Sequence, residues 1–170
     1  INLKKTNLSF FADKNDILIK NIFGFLDEIK ISDGDIRLNL ENGIKLNSNF
    51  NSKIDLSDQV TKKYIDFFKK YDAVKGLRTL KADLNNNFSI EFDNTYKVKD
   101  YNYSINGKLQ KIKFELLSPI KNNFIFEEIK NIYFSDLRMK TSFKPNAIKI
   151  SGDGKYSFDE SNFLDINLEN

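Results

Sequence analysis

Residues 43–56, GIKLNSNFNSKIDL, alternate between two kinds of side chain almost without a slip. Ile44, Leu46, Ser48, Phe50, Ser52, Ile54 and Leu56 share one parity; Lys45, Asn47, Asn49, Asn51, Lys53 and Asp55 share the other. Successive side chains on a strand point to opposite faces, so this stretch predicts an extended strand with one apolar and one polar side. From Ile44 to Leu56 such a strand spans about 40 Å at roughly 3.3 Å per residue. Ordinary strands run to about five or six residues. A half-apolar strand of that length needs neighbours of its own kind.

The flanking sequence supplies them. DIRLNL puts Ile36, Leu38 and Leu40 on one face, and the Asn42-Gly43 pair behind it tolerates positive φ, so 36–56 predicts a hairpin. DILIKNIF (16–23) and DEIKIS (27–32) carry shorter alternations, with SDGD (32–35) as a hairpin turn. FSIEF offers Phe88, Ile90 and Phe92. In YNYSINGKL the apolar residues hold odd positions, and they move to even ones at Ile112, Phe114 and Leu116. That change requires a bulge near Gln110 and Lys111 or a turn at Asn106-Gly107, and the bulge is the preferred reading. NIYFSDLRMKTSF, AIKISGDGKYSF and FLDINL continue the pattern to the C-terminus. IKISDGDI (29–36) and IKISGDGKY (148–156) echo each other, each reading as a strand end, a glycine turn and a new strand.

One segment departs from period two. Val60, Tyr64, Phe67, Phe68 and Tyr71 recur at helical intervals, with Ser57 as N-cap and Gly76 as stop. An amphipathic helix is therefore expected over about 58–72, within an insertion at about 57–76, and a short helical turn near 127–131. The predicted fold is mainly β: a long, twisted antiparallel sheet forming an open groove, with that one helix; the alternative is a closed β-sandwich acting as a structural or protein-binding module. At 170 residues the chain predicts a single β-rich domain, or a repeat section of a longer protein, over 1–170. It begins at Ile1 without a visible signal peptide, and no apolar run approaches the ~20 residues that span a bilayer, so it reads as a piece of something longer.

Composition narrows the chemistry. The chain has no His and no Cys, which removes imidazole bases, thiolate nucleophiles, disulfides and zinc-type sites. The net charge of +3 is too small to imply nucleic acid by itself, and no nucleic-acid partner is expected. The acidic pairs Asp27-Glu28, Glu127-Glu128 and Asp159-Glu160 point to opposite faces if extended, so they read as solvated charge. SGDGKYS lacks the phosphate-loop spacing and SDGD the calcium-loop spacing, and both read as turns. No catalytic group, metal or cofactor is expected. A wide apolar face with a single helix to cover it is suited to acyl chains instead. Each methylene taken out of water contributes about 0.8 kcal/mol, so a chain of about 16 carbons gains on the order of 12 kcal/mol without any directional contact. Ser48 and Ser52 are small groups on that face: they either leave room for such a chain or, on their own the stronger reading, face a bulky neighbour across a closed core.

The order of elements in residues 8–57 resembles the repeated β-rich segments of AsmA-like envelope proteins, the group that includes TamB and YhdP. It runs from a strand through NIFGFLDEI (21–29) and the ISDGDI turn to a long alternating strand. GKLQKIKFELLSP (107–119) and GDGKYSFDESNFLDINLEN (152–170) look similar to that group as well. The resemblance implies a long curved sheet with an apolar inner groove in the periplasm of a bacterium. The parent would be anchored to the inner membrane through parts outside this chain and involved in phospholipid transport to the outer membrane and in envelope integrity. Its implied partners are phospholipid acyl chains and neighbouring β-sections of the same parent. The expected lipid-lining residues are Ile36, Leu38, Leu40, Ile44, Leu46, Phe50, Ile54, Leu56, Phe88, Ile90 and Phe92.

Overall fold

A computed structural model describes residues 3–41, 43–57, 59, 75–121 and 128–169. They form nine strands: β1 (Leu3–Ala12), β2 (Asp16–Leu26), β3 (Ile29–Asn39), β4 (Ile44–Leu56), β5 (Leu77–Phe92), β6 (Val98–Ile120), β7 (Ile129–Lys144), β8 (Ala147–Ser157) and β9 (Leu164–Glu169). Each pairs antiparallel with the next, giving one sheet of order β1 to β9 that is not closed. Among the described residues there is no second sheet and no helical element. The sandwich alternative is thereby corrected. The helix over about 58–72 is not borne out: apart from Gln59, its residues lie outside those described.

The hairpin expected over 36–56 forms, with Leu38 opposite Leu46 and Ile36 opposite Ser48. Gly43 beside its turn has φ 98°, a conformation that costs glycine little. β4 then pairs with β5 one-to-one, from Ile44–Phe92 to Leu56–Leu80, without a register shift. β6 is continuous, and against β5 the register slips between Lys81–Lys111 and Ala82–Leu109. Gln110 is the extra residue, so the bulge reading holds and no turn forms at Asn106-Gly107.

Three local expectations are corrected. SDGD is not a turn but the interior of β3, which shifts register between Ser32 and Asp35, with Asp33 at φ 52°. The chain reverses instead at Asp27-Glu28. SGDGKYS likewise lies inside β8, and the preceding reversal is at Pro145-Asn146. At Ile129–Asn131 the backbone is strand, not helix. In β3 the reason is that bulges and turns both call for positive φ, which short polar residues tolerate; in β8 Gly152 and Gly154 instead lie where a Cβ would meet Arg138 and Leu137. Asn21 in β2 and Asp136 in β7 adopt positive φ inside strands too.

The strand glycines answer a steric need. A Cβ on Gly107 would strike the Asp83 carbonyl and lie 2.9 Å from Leu84 Cα, and one on Gly154 would lie 2.6 Å from Leu137 Cα. Beside them sits the densest packing, where Ala82, Leu109, Ile112 and Leu137 form a buried cluster flanked by Ile54, Leu80, Phe114 and Phe134. The β8–β9 connection is fastened by Asp159. It accepts hydrogen bonds from the Asn162 and Ser161 backbone N–H groups at 2.8 and 2.9 Å, and from the Ser157 hydroxyl at 2.8 Å.

Two measurements follow. Gly107→Val should cost about 2 kcal/mol or more by urea unfolding, because the neighbouring backbone must move aside. Gly43→Ala, with nothing within 4 Å of its Cβ position, should cost only the ~1 kcal/mol of backbone strain. The second concerns pH. The donors around Asp159, the Asn162 amide first, hold its carboxyl well below the usual carboxylate range. A lowered folded pKa adds stability above the unfolded value of about 3.9 that is lost on acidification. The unfolding midpoint should therefore fall as pH drops below about 4, and Asp159→Asn should flatten that fall.

Candidate functional site

The ladders sort the side chains of the sheet into two faces. One face is mostly polar, although Phe11, Leu18, Phe23 and Phe25 of β1 and β2 and Tyr133 of β7 share it; it carries cross-strand ion pairs Lys45–Glu91 at 2.7 Å and Lys108–Asp136 at 2.6 Å. Amide and hydroxyl bonds link its strands, Asn85 Nδ2 donating to Asn51 Oδ1 at 3.0 Å and Ser89 Oγ to Asn47 Oδ1 at 2.9 Å. Lys108 beside Asp136 and Lys45 beside Glu91 hold these carboxyls below their ordinary values. Such groups stay ionised and paired, which suits solvation and not acid–base work.

The other face is apolar and spans the sheet. One row can be followed by pairing alone: Phe10, Ile19, Ile36, Ser48, Phe88, Tyr103, Phe143 and Ile148, one residue from each of β1 to β8. Its centre is an aromatic strip. Phe88 meets Tyr103 edge-on at 6.0 Å between ring centroids, and Tyr103 stacks on Phe143 at 5.9 Å. The rows are unequal in access. On β4 and β5 the face is packed shut towards Leu56, with Leu56 5% and Ala82 1% exposed. Away from that packed stretch it opens: Leu40, Val98, Tyr101 and Ile148 are exposed on one side, Ile148 at 57%, and Ile120 and Leu164 on the other.

All eleven expected lining residues fall on this apolar face. Ile36, Leu38, Ile44, Leu46, Phe50, Phe88, Ile90 and Phe92 are half-buried there, and Leu40 is exposed at its open end. Leu56 is buried and Ile54 packs against the buried cluster, so these two hold the sheet together and are not free lining. Ser52 does not leave room either. It is buried, and its Oγ accepts a hydrogen bond at 3.0 Å from Nδ2 of Asn86, itself only 3% exposed. Tyr103 completes this network by donating from its hydroxyl to Asn86 Oδ1 at 3.0 Å, and burial pushes its phenol pKa up. Ser48 alone remains a small group in the aromatic row.

Tyr103, Phe143, Ile148 and Phe10 belong to the same surface and were not expected as lining. The odd-position run through Tyr103 carried the signal for it. Phe10 gave none, since FF puts two aromatics side by side and register shifts in β1 obscure the parity. Among the described residues no cluster of acidic side chains could hold a metal ion, and no helix is long and apolar enough to cross a membrane. No family model, curated protein or solved structure matches the chain.

The buried network gives a direct test of what the polar residues on this face do. Asn86→Ala should cost about 1–3 kcal/mol by leaving the Tyr103 hydroxyl and Ser52 unpaired. Tyr103→Phe should cost about 1 kcal/mol, and a double-mutant cycle in urea should show the two to be non-additive.

Proposed function

We propose that the chain is a non-enzymatic section of a β-groove wall that carries phospholipid acyl chains. The observation that carries the reading is the apolar row across β1–β8, on a sheet with no second sheet over it among the described residues. Acyl chains need continuous apolar contact and no directional chemistry, and the half-buried residues from Ile36 to Phe92 supply that contact. The open end at Leu40, Val98 and Tyr101 is where a chain would enter, and the aromatic strip at Phe88, Tyr103 and Phe143 is where it would lie. The Asn- and Lys-rich face is the solvated outside.

Taken with the resemblance to AsmA-like proteins, this reading puts the wall in the bacterial periplasm, within a parent anchored to the inner membrane. Phospholipid would move along it towards the outer membrane, and neighbouring β-sections of the parent would lengthen the wall.

A photoreactive residue at Phe50 tests the reading, with one at Asn51 on the polar face as control. Crosslinks to co-purified phospholipid from position 50 and not from 51 are the expected result. Crosslinks to protein only, or none from position 50, would sink it.

A further inference from the structure

Among the described residues β1 and β9 are the outer strands of the sheet, and their charges are opposite. On one flank β1 and β2, residues 3–26, carry four lysines against two aspartates. On the other, β8, β9 and their connection, residues 147–169, carry two lysines against five carboxylates. The outermost strands are purer still. β1 has Lys4 and Lys5 with no acid, and β9 has Asp165 and Glu169 with no base. All four are exposed. Edge strands with unpaired backbone groups are templates for further pairing, and charge of one sign normally guards them against their own kind. Here each edge is guarded against itself and matched to the other.

We propose that one copy of this chain docks its β1 edge against the β9 edge of a second copy, extending the sheet head to tail. The meander sets the geometry. β1 and β9 are both odd strands of an alternating series, so they run in the same direction. A second copy with its apolar face on the same side therefore meets the first in a parallel pair. The register shift in β1 between Lys4 and Asn7, with Lys5 at φ 50°, makes Lys5 the extra residue. Setting Lys4 beside Asp165 then brings Asn7 beside Asn167 on the polar face and Leu8 beside Leu168 on the apolar face. β9 pairs with β8 without a shift from Leu164 to Glu169, so its free rim is regular over that length. Symmetric β9–β9 pairing is disfavoured, because an antiparallel pair centred on Asn167 sets Asp165 opposite Glu169. A contact between two different edges does not close on itself, so the assembly grows with concentration. The docking uses strand edges and not the apolar face, so it does not depend on lipid; at these edges a second copy takes the place that the lipid reading gives to a neighbouring β-section.

Sedimentation velocity on the chain, across protein concentration and salt, tests the proposal. Association is expected at low ionic strength and should weaken as salt screens the edges. Lys4→Glu with Lys5→Glu, or Asp165→Lys with Glu169→Lys, should each weaken it at least tenfold, and mixing the two variants should restore it. The chain has no cysteine, so oxidising a mixture of Asn7→Cys and Asn167→Cys copies reads the seam directly. A 7–167 disulfide is expected. A monomer at every concentration, association indifferent to both charge reversals, or disulfides only between like copies would overturn the proposal.

Discussion

The one-to-one ladder between β4 and β5 is the constraint on which the rest of the sheet depends. It keeps parity over the whole of β4, from Ile44–Phe92 to Leu56–Leu80. Antiparallel pairing with a fixed register commits every side chain on both strands to a face, and a slip of one residue would exchange the faces. The register is marked on both sides of the sheet. Asn85 bonds Asn51 outside and Asn86 bonds Ser52 inside, so no shifted pairing satisfies both. Strands on either side inherit this division, including those whose bulges bend them.

A single layer pays for its apolar side in an unusual manner. A sandwich hides one sheet under another; here Ala82, Leu109, Ile112 and Leu137 of β5, β6 and β7 crowd together as the buried cluster. Small residues permit that crowding, since Gly107 and Gly154 lie where a side chain would meet the neighbouring backbone. The packing fades away from this cluster, so the apolar face has a packed stretch and an open one at Leu40, Val98 and Tyr101. Buried polar groups accompany it. The Asn86 side chain has four hydrogen-bond partners, in Phe50, Ser52, Leu84 and Tyr103, whereas the Thr141 hydroxyl, two strands away on the same face, is buried without one among the described residues.

Much of this was legible in the residues. The period of two in 44–56 gave the strand, its faces and its hairpin partner, because a long run leaves no other register consistent with burial. The parity change across Gln110 gave the bulge. What escaped was the meaning of Asp-Gly clusters. SDGD and SGDGK have the chemistry of turns, but inside β3 and β8 that chemistry serves positive φ at Asp33 and close strand approach at Gly152 and Gly154. Sequence alone does not tell a bend within a strand from a reversal between two, because the backbone demand is the same and only the distant partner differs. For the candidate site, parity identified the face but not its access. Leu56 and Leu40 look alike in the sequence, yet one lies in the packed end and the other at the open one.

The meander itself has a consequence for how such a chain can change. Because every strand pairs through its backbone only with the strands before and after it, the ladder of the sheet skips no element. Inserting or deleting one hairpin would widen or narrow the wall by about 10 Å, two strand spacings, while leaving the direction of every other strand intact. The facing of each row would survive as well, since two strands restore the alternation. Breadth in this architecture is thus an adjustable quantity, set by the number of hairpins and independent of the chemistry on either face.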